Sequence, residues 1–456
     1  MHSLGSVQEN KIAAMLAGIA IVLVAGMLLG RVARRFGQPV VIGEIAAGIA
    51  LGPSLLGLLP GDLTNRLFPP DVRPLLSAVS QVGLILFMFI MGWEFEKKLI
   101  RPHVGLAASV SVSSIVLAFG LGVAAAVILY PHHSTVAGKE IPFSAFATFM
   151  GAAMSVTAFP VLARILSDRK LLDTRVGTLA LAAAAIDDVL AWCMLAYVSA
   201  LVSANGDYGD LMQVGIRSIV YVAAMFYVVR PALDRIVSRM AARERWNALI
   251  MVVVAGAFLS AYVTTWAGIH AIFGAFLFGF VMPREPALAL GEHLRRPMDN
   301  LALVLLPVFF IVTGLGVNIG ALTARNYVEL ALILAVACAG KLAGATLPAR
   351  WGGFSWKEAR TLGLLMNTRG LTELIILNVA VSLGVLDGSM FTMMVIMALV
   401  TTVMAGPLLT KSEELYSSTP PSERRKQPEP TGAQPARVVR PGSDRAGTHG
   451  REATTR

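Results

Sequence analysis

Long apolar runs, each closed by a short polar or basic cluster, follow one another along the chain to about residue 410. They are continuous rather than striped, so they read as helices apolar on every side, not as amphipathic surface helices. Runs of roughly 18 or more apolar residues have the length that crosses a bilayer core. About thirteen such helices are predicted, near 11–30, 39–58, 75–93, 103–130, 143–166, 174–203, 211–230, 246–264, 267–283, 301–320, 326–349, 359–383 and 390–410; we refer to them as spans 1 to 13. The fold class is an all-α polytopic membrane protein. Residues 1–10 are short and polar with no signal peptide, and the run after them reads as a true span.

The clusters between the runs set a topology. RVARR (31–35), EKKLIR (96–101), RILSDRK (164–170), RPALDRIVSRMAARER (230–245), REPALALGEHLRR (284–296) and RWGGFSWKEAR (350–360), with Arg175, place 21 Lys and Arg on one side. The other side has five: Lys11, Arg66, Arg73, Lys139 and Arg325. The basic side is expected in the cytoplasm, with the N-terminus outside and the C-terminus inside, as an odd number of spans requires. From 411 the chain turns rich in Pro, Arg, Ser and Gly and reads as a disordered cytoplasmic tail, 411–456, with no GxGxxG. Composition agrees: 56% of residues are hydrophobic and 14% charged, against about 25% charged in soluble domains. The net charge of +10 is accounted for by basic loops and tail, so it does not point to nucleic acid. Cys193 and Cys338 lie inside apolar runs and form neither a disulfide framework nor a zinc motif.

The two halves of the membrane region resemble each other. LFMFIMGWEF (86–95) aligns with VFFIVTGLGV (308–317), GAAMSVTAFPVL (151–162) with GLLMNTRGLTEL (363–374), and AAGIALGP (46–53) with FGAFLFGF (273–280). Spans 2, 3 and 5 thus correspond to spans 9, 10 and 12. An offset of seven spans reverses direction, so the halves are inverted-topology repeats: about 11–203, a linker helix at 211–230, and about 246–410. Such repeats mark secondary transporters, with the site near the midplane between them.

The polar residues within spans carry the chemistry. In MSVTAFPVLARIL, Pro160 removes a backbone donor and disturbs the turn that holds Thr157. In MNTRGLTELIILN, Asn367, Thr368, Arg369 and Gly370 fall mid-span. Breaks at equivalent points of both repeats predict unwound backbone around a cavity. Arg369 and Glu373, at i and i+4, share a helix face and are expected to neutralise each other or the half-helix dipoles. Asp187 and Asp188 stand side by side in AAAAIDDVLAW, at roughly 2.5–3.5 kcal/mol each by insertion scales. Adjacent helical residues point about 100° apart. One aspartate can therefore face Lys341, which lies deep in ILAVACAGKLAGATLP, while the other faces the cavity. Proton and metal ion would then compete for the same oxygens: carboxylate, Thr157 hydroxyl and freed carbonyls. Competition at one alternately exposed site yields antiport. Glu44, a few residues inside span 2, is either solvated near the interface or part of a cytoplasmic funnel. His270 is expected to serve packing rather than proton relay, and Arg217 to snorkel.

Together GEIAAGIALGPSLLG (43–57), MSVTAFPVLARIL (154–166), AAAAIDDVLAW (182–192), AGKLAG (339–344) and MNTRGLTELIILNVA (366–380) resemble the monovalent cation:proton antiporter-2 family, across most of 11–410. Members include bacterial sodium/proton antiporters, potassium exporters and plant cation/proton exchangers. The resemblance implies two crossing broken helices, Asp188 as the ion and proton carrier, Asp187 paired with Lys341, and Thr157 and Asn367 to Gly370 in the unwound segments. It also implies elevator-like movement of a core domain, a homodimer, and electrogenic exchange for a member with Asp-Asp and lysine. Without a nucleotide-binding domain, gated potassium efflux is disfavoured, and Na⁺ against K⁺ stays open. The bound species are transported ions and protons, with no cofactor and no enzymatic activity; the location is a bacterial inner membrane. An intramembrane aspartyl protease needs aspartates on separate helices and a GxGD motif, which this chain lacks. An ion sensor on a transporter scaffold and a proton-coupled organic solute transporter remain as alternative readings.

Overall fold

The computed structural model describes residues 2–94, 104–136, 138–169, 171–172, 174–203, 208–284 and 287–417. The tail expected at 411–456 lies outside the described residues from 418, as does all of EKKLIR. Contacts divide the chain into a unit of residues 1–412 and a second of 413–456, of which only the helical residues 413–417 are described.

The chain opens with α1 (His2–Arg35), α2 (Val40–Leu51), α3 (Leu63–Leu67), α4 (Arg73–Glu94), α5 (Val104–His133), α6 (Phe143–Ser155), α7 (Phe159–Asp168) and α8 (Arg175–Ser203). Then come α9 (Tyr208–Ala224), α10 (Arg230–Ala241), α11 (Trp246–Trp266), α12 (Ala271–Val281), α13 (Ala287–Leu290), α14 (Arg296–Leu315), α15 (Ala324–Trp351), α16 (Trp356–Met366), α17 (Leu371–Ser382) and α18 (Gly388–Ser417). A hairpin of β1 (Thr135–Val136) and β2 (Lys139–Glu140) follows α5, pairing Thr135 with Glu140.

Twelve helical segments among the described residues are long and apolar enough to cross a membrane. Predicted span 9 is the exception: it is the 11-residue α12, cut short by His270 at its start and the extended Met282 at its end. Two stretches expected as basic loops are helical. Residues 230–241 continue α9 through a π-turn at Met225–Val229, and 287–295 form α13 and a second π-turn. Their charges hide an amphipathic pattern: Leu233, Val237 and Leu294 are buried while Arg235 and Arg239 face outward.

Helices surrounded by lipid gain little from apolar burial against one another, so small residues that let backbones close up decide the packing. A Cβ on Gly48 of α2 would overlap the Ile311 carbonyl of α14 and lie 2.8 Å from Gly314 Cα. In the other pair, a Cβ on Gly279 of α12 would overlap the Phe89 carbonyl of α4. Ile311 and Phe89 occupy equivalent positions in the aligned repeats. Spans 2 and 10 therefore meet as spans 9 and 3 do, the relation expected of inverted repeats. In α15, Cβ atoms on Gly340 and Gly344 would each lie 2.7 Å from a Cα of α5, Ala118 and Ser114. These glycines flank Lys341 and press its helix onto α5. Around this pair pack α6–α7, α8 and α16–α17, while α1, α2, α4, α11, α12 and α14 pack among themselves.

Candidate functional site

Both predicted interruptions are present. α6 stops at Ser155, Val156 and Ala158 are extended, and α7 starts at Phe159 with Pro160 in its first turn. Proline suits a first turn, where its missing N–H breaks no intrahelical bond. α16 ends at Met366, and α17 begins after Gly370. The two breaks touch. The Ala158 N–H donates to the Thr368 carbonyl at 3.1 Å. A Cβ on Gly370 would lie 2.7 Å from Val161 Cγ2, so the crossing itself demands glycine. Thr402 of α18 closes the second break, accepting from the Arg369 N–H at 3.0 Å and lying 2.8 Å from its carbonyl. Helix ends in a membrane need such partners, because lipid offers none.

Arg369 is fully buried. Its guanidinium donates to the carbonyls of Ala153 (2.8 Å) and Met154 (2.7 Å), the last turn of α6, and pairs with Glu373 at 3.2 Å. A cation thus sits at the C-terminus of one half-helix and an anion in the first turn of another, each favoured by the dipole there. Asn367 donates to Cys338 Sγ at 3.7 Å. Asn367 Oδ1, Arg369 Nε and Glu373 Oε1 have no partner among the described residues, the polarity that internal water requires.

Asp187 and Lys341, both without exposure, form an ion pair of 2.8 Å. Asp187 also accepts from Ser111 at 2.5 Å, and Lys341 donates to Ser114 at 3.0 Å. The Thr157 hydroxyl lies 2.7 Å from Asp187 Oδ2 and 2.8 Å from the Met366 carbonyl, its one proton shared between them. Thr157 therefore serves the paired aspartate rather than Asp188. Asp188 turns away from this pair, as the 100° step predicts. It is 6% exposed and meets the Phe159 N–H of α7 and the Thr372 hydroxyl of α17 at 3.4 Å. It lies between the N-termini of the half-helices α7 and α17, where partial positive charge favours an anion. Asp187 is matched by Lys341 and Glu373 by Arg369; Asp188 has no cationic side chain in contact with it among the described residues.

Glu44 differs from the solvated alternative: it is buried in α2, within electrostatic reach of Arg164 on α7. Nearby, a crevice enclosing about 270 Å³, open solvent included, runs between α2, the breaks and α18, past Pro39, Ile42, Val161, Gly370 and Thr402. It reaches the second break, but neither aspartate lines it. His270, half-buried, stands at the start of α12 with no partner for Nδ1 among the described residues, and Arg217 lies over the Trp266 ring. Sequence reading missed Ser111, Ser114 and Thr372. The only signal was spacing: Ser111 and Ser114 are i, i+3 on α5, two of the four serines between 109 and 114.

Two crossed, broken helices with charged groups buried at the crossing define a multi-pass ion transporter. The model of the sodium/hydrogen exchanger family, transmembrane region, matches residues 19–411, and the chain belongs to that family. It is 40% identical over 405 residues to the Na(+)/H(+) antiporter NhaS4 of Synechocystis sp., covering 88% of this chain and 98% of that protein. Over 403 residues it is 37% identical to Cation/H(+) antiporter 17 of Arabidopsis thaliana, and over 377 it is 33% identical to K(+)/H(+) antiporter 1 of Saccharomyces cerevisiae. These alignments cover 88% and 81% of this chain but only 48% and 43% of those longer proteins. The sodium proton antiporter MjNhaP1 of Methanocaldococcus jannaschii has the same fold, with a TM-score of 0.61 at 13% identity over 89% of this chain and 98% of that one.

Proposed function

We propose that the chain exchanges protons for Na⁺ or K⁺ across a bacterial inner membrane, with Asp188 as the group both ions share. The observation that carries this is the charge balance. Of the three buried acids at the crossing, Asp187 and Glu373 have buried bases; Asp188, among the described residues, does not. A carboxylate so placed needs a proton or a metal ion to neutralise it. Either can do so, and not both at once. A hard cation would find oxygens on Asp188 and Thr372 (HO–Cβ), and backbone carbonyls at the breaks. Lys341 and Asp187 hold the pair's geometry, with Thr157 fastening it to Met366. Pro160, Asn367 to Gly370 and Glu373 hold the breaks, and Glu44, buried in α2 behind the crevice lining, is part of a cytoplasmic funnel.

In this reading the crossed helices move as one body against α2, α4, α12 and α14, exposing Asp188 alternately; two chains form a homodimer; and the N-terminus is outside. The domain limits are those read from the sequence: 11–410 for transport, and 411–456 as a tail. The names of the relatives include both Na⁺ and K⁺, so both are tested. Proteoliposomes with an acidic interior and a pH-sensitive dye receive Na⁺, Li⁺ or K⁺ outside, with the membrane potential clamped or free. Cation-driven proton efflux in wild type, absent in Asp188→Asn, supports the reading, and clamp sensitivity reports electrogenic exchange. Equal flux in both proteins removes Asp188 from the mechanism. No flux with any cation removes antiport.

A further inference from the structure

A second buried cluster of ionisable groups lies away from the crossing. It joins the end of α5, the second turn of α15 and the turn between α17 and α18. His133 Nδ1 is 2.5 Å from Asp387 Oδ2, and its Nε2 is 3.1 Å from Glu329 Oε2. His132 Nδ1 reaches Glu329 Oε1 at 3.4 Å. Asn326 donates to Glu329 at 2.9 Å, and the Ser389 hydroxyl and Met390 N–H donate to Asp387 Oδ1 at 2.7 Å each. The side chains of His133 and Glu329 are 3% and 8% exposed, that of Asp387 23%.

Proton counting makes this more than a staple. A carboxylate only accepts hydrogen bonds, and a neutral imidazole has a single N–H. Both ring nitrogens of His133 face carboxylate oxygens, so the two bonds require one proton more than a neutral ring with two carboxylates supplies. With the proton the triad carries one net negative charge; without it, two. Asp387, outside the spans, bears the mark of the arrangement. Burial pushes its carboxyl up, but the His133 hydrogen bond, the Met390 and Ser389 donors and the His133 charge outweigh this and bring it from 3.8 to about 2. His132 is the other titratable group in contact with the triad, and it is half-exposed. The remaining charges at this end of the packed elements, Arg325 on α15 and Lys139 and Glu140 on β2, are exposed to solvent.

We propose that Glu329, His133 and Asp387 form a proton-binding site distinct from Asp188, whose occupancy ties the outer end of α17 and the start of α18 to α5 and α15. α17 ends at Ser382, and the chain turns at Gly384 (φ 69°) before Asp387. Losing the proton breaks one of the two bonds through which His133 joins this turn to α15, and leaves two carboxylates on a neutral ring. On the proposed topology this face is extracytoplasmic, so the site reads the outer pH. The proton count stands whatever the transported ion is.

The test is nitrogen-15 spectroscopy of the seven histidines in reconstituted full-length protein. Wild type is expected to show, at pH 7, a ring protonated on both nitrogens that is lost in His133→Gln. Glu329→Gln, which removes one acceptor charge and serves also should His133→Gln fail to fold, is expected to lower the proton affinity of that ring at least tenfold. A wild-type His133 neutral at pH 7, or an affinity unchanged in Glu329→Gln, overturns the proposal. A purely structural contact predicts no such change in affinity.

Discussion

Replacing Lys341 by methionine is the sharpest perturbation available. It removes the Nζ that lies 2.8 Å from Asp187 and 3.0 Å from Ser114. Neither partner of the ion pair is exposed, so solvent cannot take over the abandoned charge. Breaking such a pair from one side costs about 3–5 kcal/mol, whereas replacing both partners with neutral groups of similar volume is often close to neutral. Lys341→Met and Asp187→Asn should each destabilise by an amount in that range. The double variant should recover most of the loss, because Ser111 can still donate to the new amide oxygen while Thr157, its proton on the Met366 carbonyl, accepts from the amide nitrogen. With each single loss at least about 3 kcal/mol and the double close to neutral, the expected coupling is about 5 kcal/mol, more than a thousandfold in the folded-to-unfolded ratio. The assay is reversible unfolding in mixed micelles, titrated with a denaturing detergent and followed by tryptophan fluorescence. If the losses of the two single variants add in the double, the reasoning fails, and Lys341 is held by something other than Asp187.

Other outcomes follow from the same geometry. Arg369→Lys should cost about 1–3 kcal/mol in that assay, since one ammonium cannot reach the carbonyls of Ala153 and Met154 and the Glu373 carboxylate with the planar fork that Arg369 uses. Gly340→Ala places a methyl 2.7 Å from Ala118 Cα; overpacking of this kind costs about 1–3 kcal/mol, and here it should also lower transport by moving Lys341. Asp387 is held at about 2, below its ordinary 3.8, which at about 1.4 kcal/mol per unit is worth about 2 kcal/mol. That stability is complete above about pH 4 and lost as pH falls towards 2. Asp387→Asn should therefore lie about 2 kcal/mol below wild type at pH 5 and converge with it near pH 2.

How much of this was legible in the sequence depended on what a residue costs in lipid. Pro160, the Asn367 to Gly370 stretch, the aspartates and Lys341 stood out because each is expensive at bilayer depth, and expense marks a position even without a structure. The breaks fell where these residues predicted, and the lysine and the first aspartate came together. Ser111, Ser114 and Thr372 were silent because a hydroxyl can bond its own helix backbone and costs little in a membrane helix. The helices at 230–241 and 287–290 were missed for the opposite reason: their arginines resembled loop charges, and only the burial of Leu233 and Val237 reveals the helical face. His133, Glu329 and Asp387 sit at helix ends, where polar residues are ordinary, and 254 residues separate the first from the last.

The Asp187–Lys341 pair also bears on how the chain is made. Lys341 follows Asp187 by 154 residues. At about 5–20 residues per second, synthesis of that interval takes roughly 8–30 s. Throughout it, α8 exists with two acids and without its base. The first repeat therefore cannot reach its final packing when it leaves the insertion machinery; it must wait as a loosely held set of helices, with Asp187 neutralised or close to water, until α15 arrives. Maturation of this protein is in that sense a late event, gated by one ammonium group, and a chain halted before residue 341 should be met by quality-control proteases rather than accumulate as a half-built transporter.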